Sequence, residues 1–323
     1  MHRYLSMKLS VVVGVLLICS PVVLRGQDAP VTPDPVQEKA FKAPLEAERP
    51  LPDIPQLMHA VETNQRRAEE VRKNYIYDVT ATQTELDKNG HEKKVTDEER
   101  EIFTVNGVRI ARMLKKDGRE LDEKEKKKEE ERIEKEVEKA RKKKDKADEN
   151  GKETDSRGND VINVSRILEL GTFTNAQRVM LNERPTIVAD YTGNPKVKTH
   201  NIGEAVIKDL VGRVWVDEEE KALVRGEGHF VDNFHVGGGL LVNLKKDSSF
   251  SFVNRRVNGE IWLPAQVDGK GSIRVLLFVN FNGSSHWEFS KYRKFKAKAT
   301  ILPGVGPVTE DGGVVPEGES KPK

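Results

Sequence analysis

Apolar and polar positions alternate with two different periods along this chain, and the switches between them lay out its elements. From Gln56 to Asn74, Leu57, Ala60, Val61, Ala68 and Val71 recur at helical spacing with Glu and Arg between them, which predicts an amphipathic helix. The period then drops to two. In Asn74 to Leu86, Tyr75, Tyr77, Val79 and Ala81 alternate with Asp78, Thr80 and Thr82, as a half-buried strand requires. Asp87 to Gly90 reads as a turn, and Glu92 to Val105 as a second strand. Asn106-Gly107 is a strong hairpin signal, because both central turn positions need positive φ, and Val108 to Leu114 is the third strand.

The pattern then changes. Asp122 to Asp148 is almost wholly Lys, Glu, Arg and Asp, with opposite charges often at i,i+4 spacing. Such residues favour helix, and each pair adds about 0.2–0.5 kcal/mol. The apolar stripe of Ile133, Val137 and Ala140 is narrow, so the expectation is a protruding, solvated helix roughly 40 Å long. Val161 to Leu170 predicts a further short helix, with Val161, Val164, Ile167 and Leu168 on one face, and Gly203 to Leu210 a short amphipathic piece. From Phe173 to Leu302 strands dominate. They are expected at Val179–Leu181, Thr186–Tyr191, Arg213–Asp217, Ala222–Glu227, His229–Val236, Gly239–Leu244, Ser249–Val257, Glu260–Gln266, Ser272–Asn282 and Trp287–Thr300. Short Gly-, Asp- or Asn-bearing connections make this a mainly antiparallel meander within an α+β fold.

The ends differ from the middle. His2, Arg3 and Lys8 precede an apolar run from Leu9 to Leu24, and small residues follow, which reads as a signal peptide over residues 1–26 with cleavage after Gly26 or Ala29. An uncleaved anchor, or lipidation at Cys19, are the alternatives; Ile18 before Cys19 counts against lipidation. Residues 27–55 carry Pro30, Pro33, Pro35, Pro44, Pro50, Pro52 and Pro55 and read as an extended linker. Residues 303–323 are rich in Gly, Pro and Glu and read as a disordered tail. A mature chain beyond Cys19 has no cysteine, which excludes disulfides and thiol chemistry from it.

Composition narrows the function classes. Of 323 residues, 33% are charged, yet the net charge is only +2, so charge alone points neither to nucleic acid nor to an anionic membrane. Lys126–Lys128 and Lys142–Lys144 are interleaved with acids and lack stacking aromatics, which leaves no nucleic-acid signature. His91-Glu92 lacks the second histidine of a zinc helix, and there is neither a nucleophile elbow nor a Walker loop. Gly226-Glu227-Gly228 and Gly237-Gly238-Gly239 read as hairpin glycines, not phosphate loops. His229 and His235 fall on one face of an expected strand but roughly 20 Å apart, too far to share one ion. Ser285-His286 has no identifiable acid partner in the sequence. No enzyme, cofactor or metal is expected.

The aromatic positions carry the binding hypothesis. Phe250 and Phe252 share one strand face, Trp262 lies in the next strand, and Leu276 and Phe278 share a face of the one after. A curved sheet could gather them into an apolar pocket for a lipid-sized ligand, or a helix of the chain could fill the same hollow.

Leu210-Val211-Gly212-Arg213-Val214-Trp215-Val216-Asp217, followed by Leu223-Val224-Arg225, resembles the strand-turn-strand of the LolA/LolB-like lipoprotein-carrier superfamily. Asn258 to Pro264 resembles its later hairpin, and Tyr292-Arg293-Lys294-Phe295 its closing strand. The resemblance covers residues 56–302, with 122–148 as a charged helical insertion. It implies an unclosed (half) β-barrel with covering helices, a periplasmic or envelope location, and a lipid or acylated lipoprotein as ligand. Phe250, Phe252, Trp262, Leu276 and Phe278 would line the concavity, and Arg225 is the candidate for the arginine near the mouth. The competing reading is an envelope interaction module whose hollow is filled by its own helix and whose charged helix docks a protein. In either, membrane contact after signal cleavage is peripheral or absent.

Overall fold

The computed structural model describes residues 49–144, 154–155, 164–199, 202–236, 242–275 and 279–294. The signal, most of the linker, the tail, and Leu276, Phe278 and Phe295 lie outside them. Among the described residues no helix is long and apolar enough to cross a membrane. The strands are β1 (Tyr75–Leu86), β2 (Glu92–Val105), β3 (Val108–Lys116), β4 (Arg119–Glu120), β5 (Thr154–Asp155), β6 (Gly171–Leu181), β7 (Arg184–Gly193), β8 (Leu210–Asp217), β9 (Ala222–Phe230), β10 (Phe234–Val236), β11 (Val242–Leu244), β12 (Ser249–Val257), β13 (Ile261–Val275) and β14 (Val279–Lys294). The helices are α1 (Ile54–Arg72), α2 (Glu123–Lys144), α3 (Val164–Glu169) and α4 (Ile202–Ile207). Pairing is antiparallel throughout the meander and leaves the sheet unclosed.

The chain divides into two units, and the stretch 56–302 read as one domain contributes to both. The first takes residues 1–69, 81–96 and 161–288. Its strands run β14-β13-β12-β9-β8-β7-β6. Alternation places Tyr191, Leu210, Phe230 and Phe250 on one sheet face. Tyr191, Leu210 and Phe230 join Leu170 and α4's Val206 and Ile207 in a buried cluster, against which the half-buried Phe250 packs. A second cluster packs Leu57, Met58 and Val61 of α1, with Leu168 of α3, onto Ile187, Ala189, Val214 and Val216. The amphipathic period seen in the sequence is thus spent on this face. The Asp53 carboxylate accepts the Gln56 N–H at 2.8 Å and caps α1. Pro55, read from sequence as linker, sits in the helix's first turn, where its missing N–H goes unused.

The second unit takes residues 70–80, 97–160 and 289–323. Its strands run β4-β3-β2-β1-β14, with β5 parallel to β3. Asn106 and Gly107 both have positive φ, 49° and 74°, as the β2–β3 hairpin requires. Buried Asp78 on β1 accepts Lys291 Nζ at 2.8 Å and Arg293 Nη2 at 3.3 Å from β14. The α2 helix does not protrude. Its Ile133, Val137 and Ala140 are buried against Phe103, Val108 and Ile110. Glu129 accepts the Met113 N–H at 2.7 Å, and Arg132 donates to the Ala111 carbonyl, so polar groups beside the narrow stripe fasten the helix to β3.

Strand boundaries differ from the sequence pattern where glycine was read as a break. Gly269 and Gly271 lie within β13 and Gly283 within β14. A side chain at Gly283 would run into the Thr84 carbonyl, so this glycine allows β1 to approach rather than ending β14. Conversely, the expected strand His229–Val236 is broken by a bend at 231–233, which puts His229 on β9 and His235 on β10.

Candidate functional site

An open groove of about 890 Å³ crosses the first unit over β1, β7, β8, β9, β12, β13 and β14. Each strand contributes side chains at positions i and i+2, so the groove belongs to one sheet face. The residues between them, Tyr191, Gly212, Gly228, Phe250, Gly269 and Ser285, form one continuous register row. Their side chains turn to the opposite, helix-covered face, and three glycines leave only backbone as the floor. The groove therefore lies on the sheet face turned away from α3 and α4.

One wall is the register row Asp190–Arg213–Glu227–Ser251–Asp268–His286. Its charges are neutralised within it or beside it. Arg213 Nε donates to Asp190 at 3.0 Å and Asn175 Nδ2 donates at 2.9 Å. Those two bonds hold the Asp190 carboxyl below the usual carboxylate range. Arg225 Nη2 donates to Glu227 at 3.0 Å. His286 Nδ1 lies 2.6 Å from Asp268, and its Nε2 lies 3.5 Å from Glu288. Burial lowers the affinity of this imidazole for a proton, but the two carboxylates outweigh it, and its pKa ends above the ordinary histidine value.

The other wall is the row Thr192–Val211–His229–Ser249–Lys270–Ser284. It carries hydroxyls, one apolar side chain and two bases. Among the described residues neither Lys270 nor His229 has an acidic partner, and both are exposed. The groove is thus walled by polar and charged side chains, unevenly distributed between its two sides, while most of the surface it exposes is carbon. Among the described residues no three metal-ligating side chains converge.

The expected site residues fall in different places. Phe250 reaches the lining from the floor row, with its side chain packed against the first core cluster. Phe252 packs against the second cluster, over Gly226, and does not line the groove. Trp262 donates its indole N–H to Glu220 at 2.7 Å, in a charged turn that also holds Arg184 and Arg256. Arg225 stacks over the Trp215 ring at 4.5 Å, next to the groove but outside its lining. Gly226-Glu227-Gly228 lies inside β9 rather than in a turn. His286 does have an acid partner, Asp268, which sequence reading missed because the pairing crosses two strands.

Neither a protein-family model nor a curated protein sequence matches the chain. Among solved structures, the chain is similar to a candidate outer-membrane lipoprotein-sorting protein domain from Vibrio parahaemolyticus, at 10% identity and a TM-score of 0.30. The overlap covers 75% of this chain and 95% of that one. It is also similar to a DUF1329 family protein from Desulfovibrio piger, at 8% identity and a TM-score of 0.26, again over 75% and 95% of the two chains.

Proposed function

We propose that this is an exported protein of the bacterial envelope that binds, without transforming, the polar part of a lipid or acylated partner. The observation that supports this reading most is the division of labour between the two faces of the first unit's sheet. The apolar face is taken up by α1, α3 and α4, while the other face presents an open groove walled by polar and charged side chains. The carboxylates of the groove are each engaged by a neighbouring base, which suits a recognition surface better than general acid–base chemistry. The charged α2 segment, read as an insertion in a half-barrel carrier fold, would then stabilise the second unit rather than dock a partner.

A second reading is a carrier that admits an acyl chain beneath its helices. It is favoured by the shortness of α3 and α4, six residues each, which limits what their displacement would cost.

The test is site-specific photo-crosslinking in envelope-expressing cells. A photoreactive residue at Ser251, in the groove, should give a discrete adduct, and one at exposed Lys88, in the β1–β2 turn, should give none. Adducts at neither position, or equally at both, would remove the groove as the binding surface.

A further inference from the structure

We infer that the hydroxyl-and-base wall of the groove is a subsite for a phosphate-type oxyanion. The inference rests on the groove being the binding surface and names what it recognises. His229, Ser249, Lys270 and Ser284 are consecutive members of one register row, from β9 through β12 and β13 to β14. Directly paired residues have Cβ atoms about 4.5–5.5 Å apart, so the four side chains form an unbroken line on one face. Lys270 contributes three donors and a full positive charge, and each hydroxyl and the imidazole can contribute a donor. Among the described residues, no side-chain or backbone group hydrogen-bonds the Ser249 or Ser284 hydroxyl, and neither base has an acid partner.

The nearest acids on the same face do not cancel this charge. Glu227 and Asp268 stand two residues before His229 and Lys270 on their own strands. Glu227 is held by Arg225 at 3.0 Å, and Asp268 by His286 at 2.6 Å and Gln266 at 2.7 Å. Among the described residues, Lys270 beside Ser249 is thus the cation whose charge no neighbouring carboxylate engages. The backbone floor at Gly228 and Gly269 gives an anion close access between the walls. A permanent charge on Lys270 flanked by the Ser249 and Ser284 hydroxyls on the adjoining strands matches a tetrahedral oxyanion better than a neutral polyol. At about 890 Å³ the groove also exceeds a bare phosphate, leaving room for the group that carries it.

The anion could be a lipid headgroup or a soluble phosphate ester, and the experiment separates them. Binding of the mature full-length protein is measured to inorganic phosphate, to glycerol 1-phosphate, and to phosphatidylcholine vesicles with and without phosphatidylglycerol. Saturable binding to at least one phosphate probe is expected, weakened about tenfold or more by Lys270→Glu and unchanged by Lys88→Glu. Ser249→Ala should weaken it without the charge reversal. Binding confined to phosphatidylglycerol vesicles identifies a lipid source, and binding to glycerol 1-phosphate a soluble one. No binding to any probe, or binding indifferent to Lys270→Glu, overturns the subsite. If the Ser251 adduct persists in that case, the groove remains the binding surface and only the anion is wrong.

Discussion

The residue with the most conditional behaviour is His286. Its imidazole bridges Asp268 at 2.6 Å on β13 and Glu288 at 3.5 Å along β14. Burial works against the charged form, and the two carboxylates more than offset it, so the folded pKa is raised. A raised histidine pKa means that the folded state holds its proton more tightly than the unfolded chain. The contribution to stability is therefore fully present below the ordinary histidine value, about 6.5, and is lost as the pH climbs through the raised folded value. A proton NMR titration should place the His286 imidazole above the ordinary value. In Asp268→Asn it should move down, with a smaller loss of stability over the same rise in pH. An imidazole that titrates at or below the ordinary value in the native protein would show that desolvation dominates. Nothing in the Ser285-His286 dipeptide announces this, because the partner acid is 18 positions away and is supplied by register.

At the scale of elements, local chemistry was readable and long-range pairing was not. The 3.6-residue period in Leu57, Val61 and Ala68 marks α1, and Asn106-Gly107 marks the β2–β3 hairpin, because both signals reside in neighbouring residues. The glycines of β13 and β14 misled: Gly283 makes room for β1 at Thr84 and Gly271 for Ser248, contacts that no neighbouring residue announces. The aromatic positions were read as a pocket lining, and alternation alone cannot say whether helix or ligand covers a face. Glu69 shows how that cover is fixed. It is buried near the end of α1 and accepts Ser165 Oγ at 2.6 Å and the Ser165 N–H at 3.1 Å, which pins the first turn of α3. Arg166 then ties α3 to Glu204 of α4 at 3.0 Å. Glu69→Ala leaves a buried hydroxyl and N–H without their acceptor, at a cost of about 1–3 kcal/mol. Hydrogen exchange in α3 should accelerate more than in β8. Equal protection of α3 in Glu69→Ala and the native protein would mean that Leu168 and Leu170 hold α3 without Glu69.

At the scale of the whole molecule, the issue is whether the apolar face admits an acyl chain. Burying a chain of about sixteen carbons gains about 12 kcal/mol at 0.8 kcal/mol per CH₂. To reach the face, the chain must displace Leu168 and Leu170 beside α3 and Val206 and Ile207 of α4, all buried. At about 1.5–3 kcal/mol each, these four side chains already hold a comparable amount. The Tyr191 hydroxyl would also lose the Ile167 carbonyl that it donates to at 2.7 Å, and Arg166 would lose Glu204. Displacement therefore cancels about half to all of that gain and gives up the polar ties besides. Native mass spectrometry of protein from envelope fractions should accordingly show a mass beginning after Gly26 or Ala29 and no retained acyl chain. A fluorescent fatty acid without phosphate should not be taken up. Saturable uptake of that probe, strengthened when Glu69→Ala loosens α3, would make the helices a lid and the protein an acyl carrier.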